Sequence, residues 1–341
     1  MDLILPTPDD FHVHLRQDAL LKVTAPLSAK TFGRVLVMPN TTPSIATGAD
    51  ALAYKAAIQT ISPTLQPLMA IKLLNTTTAE QIYEAHTAGV IAAKLYPQGV
   101  TTNSDDGIEI NDLEQGTARL AQVFSAMQDC GMILCVHSEY PGRFCLNREA
   151  DFLPVVKDLI SGFPELRIVI EHISTSRAAE FVWYGSTNIA ATITVHHLKL
   201  TLDDVIGDKL RPHHFCKPIA KTPEDRKALW DAIRSGNPKF FLGTDSAPHA
   251  IRTKEGDFGC AGVFTAPVAM PLLASMFEEH GVLDRLASFT SRYGAEFYRL
   301  PVNTTELVLK RVLWKVPPWY GGNVVPLCAN ETLPWCQEGA C

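Results

Sequence analysis

The sequence predicts a (β/α)8 TIM barrel, an α/β fold in which eight parallel strands close on themselves inside a ring of helices. Three observations predict it. Eight short runs rich in Val, Ile and Leu recur along the 341 residues. Helix-like segments lie between them. Most of the runs end on a residue that can ligate a metal or move a proton, as expected where strand ends build a site.

The runs are taken in order. Phe11 to Leu15 is the first, carrying His12 and His14, with Arg16 just beyond. Arg34 to Met38 ends at Pro39-Asn40-Thr41-Thr42, and Leu68 to Ile71 is third. Val90 to Ala93 leads into Lys94-Leu95-Tyr96-Pro97. Met132 to Val136 ends at His137, Arg167 to Glu171 at His172, Ile189 to Val195 at His196-His197, and Lys239 to Thr244 at Asp245. Nearly unbroken apolar runs are what strands covered on both faces look like.

Between the runs, Asp50 to Thr60 is alanine-rich and opens on an acid, and Thr78 is placed to cap a helix starting Ala79-Glu80-Gln81. Leu113 to Asp129 reads as one long amphipathic helix, and Pro223 to Arg234 opens with proline and acids as helix starts do. Alternation of strand and helix implies a parallel sheet, and eight repeats imply closure. After about Arg299 the alternation stops. The expectation is one domain over residues 1–341, with a tail from about residue 300 packed on the barrel.

At 46% hydrophobic and 19% charged the chain has ample material for a large core. Formal net charge is -6 with no basic run, which argues against nucleic acid or an anionic membrane as partner. No basic-then-apolar leader opens the sequence, and the most apolar stretch, residues 262–277, is broken by Pro267 and Pro271. Eight cysteines form no Cys-x-x-Cys pair, a usage that suggests reduced thiols. Four Asn-x-Thr triplets, at Asn40, Asn75, Asn303 and Asn330, are read as chance. The expectation is a soluble cytoplasmic protein.

Val13 separates His12 from His14, so on an extended strand both imidazoles point to one side and can hold a zinc-like ion. Taken alone, His-x-His is equally a polar strand edge. His137 or His172 alone would be a hydrogen-bonded core histidine, Lys94 an ion-paired lysine, and Asp245 a helix cap. Together they bring four imidazoles, a carboxylate and an amine to one end of the barrel, which chance explains poorly.

The order and context of these residues resemble the amidohydrolase superfamily and, more closely, its short monofunctional dihydroorotase family. The matching stretches are Asp10-Phe11-His12-Val13-His14-Leu15-Arg16, Met38-Pro39-Asn40-Thr41, Lys94-Leu95-Tyr96-Pro97 with Thr101-Thr102-Asn103, Val136-His137-Ser138-Glu139, Glu171-His172-Ile173, Gly243-Thr244-Asp245-Ser246-Ala247-Pro248-His249 and Gly259-Cys260-Ala261-Gly262. They span nearly the whole chain. The resemblance implies two zinc ions bridged by a carbamylated Lys94. His12, His14 and Asp245 would complete one site, and His137 and His172 the other. It implies Asp245 as the proton carrier in a reversible ring closure of N-carbamoyl-L-aspartate to L-dihydroorotate. Arg16, Asn40 and His249 would hold a substrate carboxylate, Thr101 and Thr102 would close over the open-chain form, and Ala261 would meet the ring through its backbone. Lys217, in Phe215-Cys216-Lys217-Pro218, would contact the ring amide through backbone groups, at a position where the family often has an apolar residue. His196-His197 and His213-His214 match no ligand position. The short type commonly forms homodimers.

Two other readings compete. A hydantoinase or allantoinase would use the same metals on another cyclic amide, but Arg16, Asn40, Thr101, Thr102 and His249 suit a ring that carries a carboxylate. A non-catalytic scaffold homologue would be expected to have lost ligands, and this chain keeps all six.

Overall fold

The structure is a computed structural model that describes residues 2–116 and 118–340. Its centre is an eight-stranded parallel sheet whose strands neighbour each other in chain order. β1 (Asp2–Pro6) lies outside this sheet. The barrel strands are β2 (Asp9–Val13), β3 (Arg34–Val37), β4 (Gln66–Lys72), β5 (Ala92–Leu95), β6 (Ile133–Val136), β7 (Ile168–Ile170), β8 (Ile189–Ile193) and β9 (Phe240–Leu242). Each falls on one of the eight expected runs. The barrel closes between its first and last strands, where His14 N–H donates to the Ser246 carbonyl at 3.1 Å and Asp245 N–H to the His12 carbonyl at 2.8 Å.

The helices Gly48–Ile61, Ala79–Thr87 and Pro223–Ser235 begin at capping boxes of Thr47 with Asp50, Thr78 with Gln81, and Thr222 with Asp225. Each box satisfies two amide groups that the first helical turn leaves open. The stretch expected as one helix from Leu113 is two, Ile110–Gln115 and Ala118–Cys130. Gly116 takes a left-handed conformation (φ 57°) and ends the first of them, while Thr117 lies outside the described residues.

Two departures concern the chain ends. The stretch from about residue 300 is more than a packed tail. β10 (Glu306–Lys310) pairs antiparallel with β1, and β13 (Cys336–Gln337) adds to β10. β11 (Trp314–Lys315) pairs with β12 (Thr332–Leu333). β11, β12 and β13 are two residues each and leave no periodic signal, and β10 pairs with a strand at the other end of the chain. Cys336 is disulfide-bonded, against the expectation of reduced thiols, whereas Cys130, Cys135, Cys145, Cys216, Cys260 and Cys328 are free.

The barrel interior below the strand ends is filled by side chains from alternate positions, among them Leu36, Ala70, Ile133, Val169 and Phe241. Phe11 stacks on Tyr298 at 4.5 Å and meets Phe241 edge-on. A second cluster, between strands and helices, takes Val13, Val35, Val37, Ile71 and Leu134. Phe11 and Val13 therefore pack on opposite sides, which strict alternation forbids. A register shift between Asp10 and Val13 resolves this by letting Phe11, His12 and His14 all serve the interior. Among the described residues no helix is long and apolar enough to cross a membrane.

Candidate active site

The C-terminal ends of the barrel strands converge on a cleft lined by His12, His14, Arg16, Asn40, Tyr96, Thr101, Thr102, His137, His172, Lys217, Asp245, Ala247, Ala261 and Gly262. Of the residues expected at the site, only Lys94 and His249 are not in this lining. Lys94 is fully buried on β5. His249 stands behind Arg16, its Nε2 3.0 Å from Arg16 Nη2 and 3.0 Å from the Ala261 carbonyl. Burial, and next the Arg16 cation, hold the His249 ring down at about 3, so it is uncharged at neutral pH.

Carboxylates fix which ring nitrogens are free. His12 Nδ1 lies 2.8 Å from Glu171 Oε2, and His137 Nε2 lies 2.9 Å from Glu139 Oε2. An ionised carboxylate only accepts, so both of these nitrogens carry the proton and donate. That leaves bare His12 Nε2, 3.5 Å from Asp245 Oδ1, and bare His137 Nδ1, 3.2 Å from His172 Nε2. His14 Nε2 is 3.1 Å from the same Asp245 oxygen. Burial alone would raise the Glu171 carboxyl, but His12 and Lys94 beside it, with hydrogen bonds from His12 and Thr192, hold it at about 2. It is therefore reliably ionised for this task.

The same region holds polar atoms with no hydrogen-bond partner among the described residues, including Lys94 Nζ and His172 Nδ1. Burial lowers the Lys94 ammonium and pushes His14 and His172 well below the ordinary histidine value. Uncharged imidazoles, an acid oxygen and an unpartnered amine, packed without enough protons to separate them, form a donor set that suits divalent cations. One nitrogen each of His12 and His14 and an Asp245 oxygen lie within 4.8 Å of one another.

The backbone is bent to achieve this. Arg16 (φ 61°), His172 (φ 44°) and Asp245 (φ 44°) all adopt left-handed conformations, which cost non-glycine residues on the order of 1 kcal/mol or more each. Hydrogen bonds hold them there. Tyr54 Oη donates to the Arg16 carbonyl, His172 N–H to Thr192 Oγ1 at 2.6 Å, and Asp245 N–H to His12. Buried Asp10 accepts from Thr244 N–H at 2.8 Å and His12 N–H at 3.1 Å, clamping the first strand to the last.

The segment after Lys94 is tied over the cleft. Asn40 Nδ2 donates to the Thr102 carbonyl and Asn103 Nδ2 to the Asn40 carbonyl, each at 2.9 Å. Buried Lys72 donates to the Asn103 carbonyl and pairs with Asp106. Val100 is buried and anchors this stretch.

Lys217 sits half-buried at the cleft. Neither member of His213-His214 lines it: His213 pairs with exposed Glu255, and His214 Nδ1 meets the Asp204 carbonyl. Sequence reasoning passed over Tyr96, Glu139, Glu171 and Asp10. Tyr96 lies two residues beyond Lys94 and so shares its side, a signal the sequence carries, whereas Glu171 serves His12 on another strand rather than the adjacent His172.

Comparison with known proteins adds relatives. The amidohydrolase family model matches residues 3–306. A dihydroorotase of Azoarcus sp. is 43% identical over 339 residues, covering 96% of this chain and 97% of its own. A Campylobacter jejuni dihydroorotase structure superposes with a TM-score of 0.91 at 38% identity, covering 99% of this chain and 97% of the other. A Saccharomyces cerevisiae dihydroorotase in complex with 5-fluoroorotic acid gives 0.92 at 34%, covering 99% and 98%.

Proposed function

This chain belongs to the amidohydrolase family, and from that premise we propose that it is a dihydroorotase, interconverting N-carbamoyl-L-aspartate and L-dihydroorotate for pyrimidine synthesis. The observation that carries the reading is the convergence of bare imidazole nitrogens, Asp245 and an unpartnered buried lysine at one strand-end cleft. It is read as a single domain with a small-molecule substrate. The resemblance to the short type further supports a cytoplasmic homodimer, which light scattering tests.

His12, His14 and Asp245 would hold one zinc ion, His137 and His172 a second, and Lys94 would bridge them as its carbamate. The lowered ammonium favours the uncharged amine, the form that adds to carbon dioxide with loss of one proton to solvent. Two bound zinc ions supply Lewis acidity, easing deprotonation of water and polarising the carbonyl it attacks. Asp245 then works as the proton carrier. In ring opening its carboxylate takes a proton from the attacking water and delivers it to the ring nitrogen as the C–N bond breaks; in closure it does the reverse.

Arg16, Asn40 and His249 would receive the substrate carboxylate. Arg16 Nε donates to the Pro248 carbonyl at 3.1 Å and Nη2 meets His249, so its fork is braced from behind. Arg16→Lys keeps the charge and loses the fork. Its kcat/KM is expected to fall about 10- to 100-fold, the range for a lost hydrogen bond to a charged group, mostly through KM. Unchanged kinetics would remove Arg16 from the site.

Thr101 and Thr102 on the loop over the cleft would hold the open-chain substrate, and Ala261 and Lys217 the ring side. Carbamoyl aspartate has two carboxylates and more freedom than the ring, so it needs the loop more. The double change Thr101→Ala with Thr102→Ala is expected to keep metal content and slow ring closure about tenfold, with less effect on opening. Equal rates in both directions would make this an ordinary connecting loop.

Turnover of carbamoyl aspartate and dihydroorotate, assayed beside hydantoin and allantoin with metal analysis of the same sample, tests the whole reading. Preference for hydantoin or allantoin would transfer the chain to a sister activity. A folded chain that holds metal poorly and turns over none of them would be a scaffold homologue.

A further inference from the structure

A second donor cluster lies beside the cleft and has no part in the chemistry above. His196 and His197 follow β8, at the start of the short helix Val195–Lys199 capped by Thr194. Cys216 follows the turn Pro212–His214 and immediately precedes Lys217. One nitrogen of each ring and the Cys216 sulfur lie within 4.8 Å of one another, and all three residues are buried.

The telling member is His196. It is fully buried, and neither of its ring nitrogens has a hydrogen-bond partner among the described residues. An imidazole is a donor and an acceptor, and a dry interior penalises leaving both unmet. Packing alone gives no reason for a histidine here, with a second histidine and a thiol as its neighbours.

We propose that His196, His197 and Cys216 bind a structural cation of the zinc class, separate from the catalytic pair. Two imidazoles and a thiolate favour zinc over magnesium or calcium, which take oxygen ligands. Binding replaces the thiol proton, which is released to solvent. His197 can adapt by giving up its bond to Pro218 and keeping the one to Thr194. Its Nε2 lies 3.0 Å from the Pro218 carbonyl and 3.8 Å from Cys216 Sγ, and its Nδ1 lies 2.9 Å from Thr194 Oγ1. A hydroxyl accepts as well as donates, so the ring proton moves to Nδ1, Thr194 accepts it, and Nε2 becomes free to ligate. The cation would tie the end of β8 to the segment carrying Lys217. That segment is already fastened to the opposite rim, where Gly262 N–H donates to the Phe215 carbonyl at 2.8 Å and Lys254 Nζ donates to it at 3.0 Å.

Cobalt(II) substitution of the whole protein tests this, because the catalytic donor set contains no sulfur. The cobalt protein is expected to show near-ultraviolet sulfur-to-cobalt charge-transfer absorption. Cys216→Ser should abolish that band and remove one metal equivalent per chain, and His196→Gln should remove the same equivalent should the serine variant fail to fold. Lys94→Ala should keep the band while losing the catalytic metals, which separates this site from the proposed activity. A wild-type protein without the band, or a folded His196→Gln variant with unchanged metal content, would overturn the proposal and leave the pair of rings to an ordered water.

Discussion

Lys94→Ala is expected to lose the metal of the strand-end cleft and activity together, with turnover falling to background. Lys94 is fully buried, and its Nζ has no hydrogen-bond partner among the described residues. A buried amine with nothing to donate to is costly unless it is modified or its surroundings change. As a carbamate it would supply an anionic oxygen to each of two cations that histidines and one aspartate leave undercompensated. Short carboxylic acids should restore part of the activity by filling the space that alanine opens. Intact-protein mass spectrometry is the direct check: active, metal-loaded protein carrying an unmodified Lys94 would refute the bridge.

Asp245→Asn is expected to lower turnover by roughly two to four orders of magnitude, the usual worth of a positioned proton carrier. Burial pushes the Asp245 carboxyl above its ordinary range, with His12 beside it acting in the opposite direction, which suits the proposed role of accepting and returning a proton. The asparagine keeps the shape and cannot carry the proton. His137 and His172 do not contact Asp245 in a hydrogen bond, so their metal should still bind. A variant with normal metal content and near wild-type rate would assign the shuttle elsewhere.

Most of the barrel was legible because each strand is an apolar run bounded by a change of composition, and because helix starts such as Thr78 and Pro223 announce themselves locally. The split at Gly116 was not, since one glycine inside an amphipathic pattern can be tolerated or can end the helix. β1 and β10 were hidden because their pairing joins opposite ends of the chain. At the site, side chains with metal-ligand chemistry were readable from residue type and order. The groups that orient them were harder. Glu139, Glu171 and Asp10 look like ordinary acids in sequence, and only the fold brings each against a particular nitrogen or amide. The register shift in β2 was invisible for a related reason, as it depends on where Phe11 finds room beside Tyr298.

The clamp between the first and last barrel strands also dictates when the site can exist. Asp10 and Thr244 meet across a sequence separation of 234 residues, and β1 must wait still longer for β10. During synthesis the His12-His14 pair emerges from the ribosome early and remains unpartnered until β9 has been made. Contacts this distant close late, after their loop entropy has been met by the strands between. A nascent chain can therefore offer a metal only a fragment of its donors, and one that stops just short of Asp245 carries His12, His14, Lys94, His137 and His172 without the strand that draws them together. Acquisition of metal at this site would then follow closure of the barrel, and would be a readout of its completion.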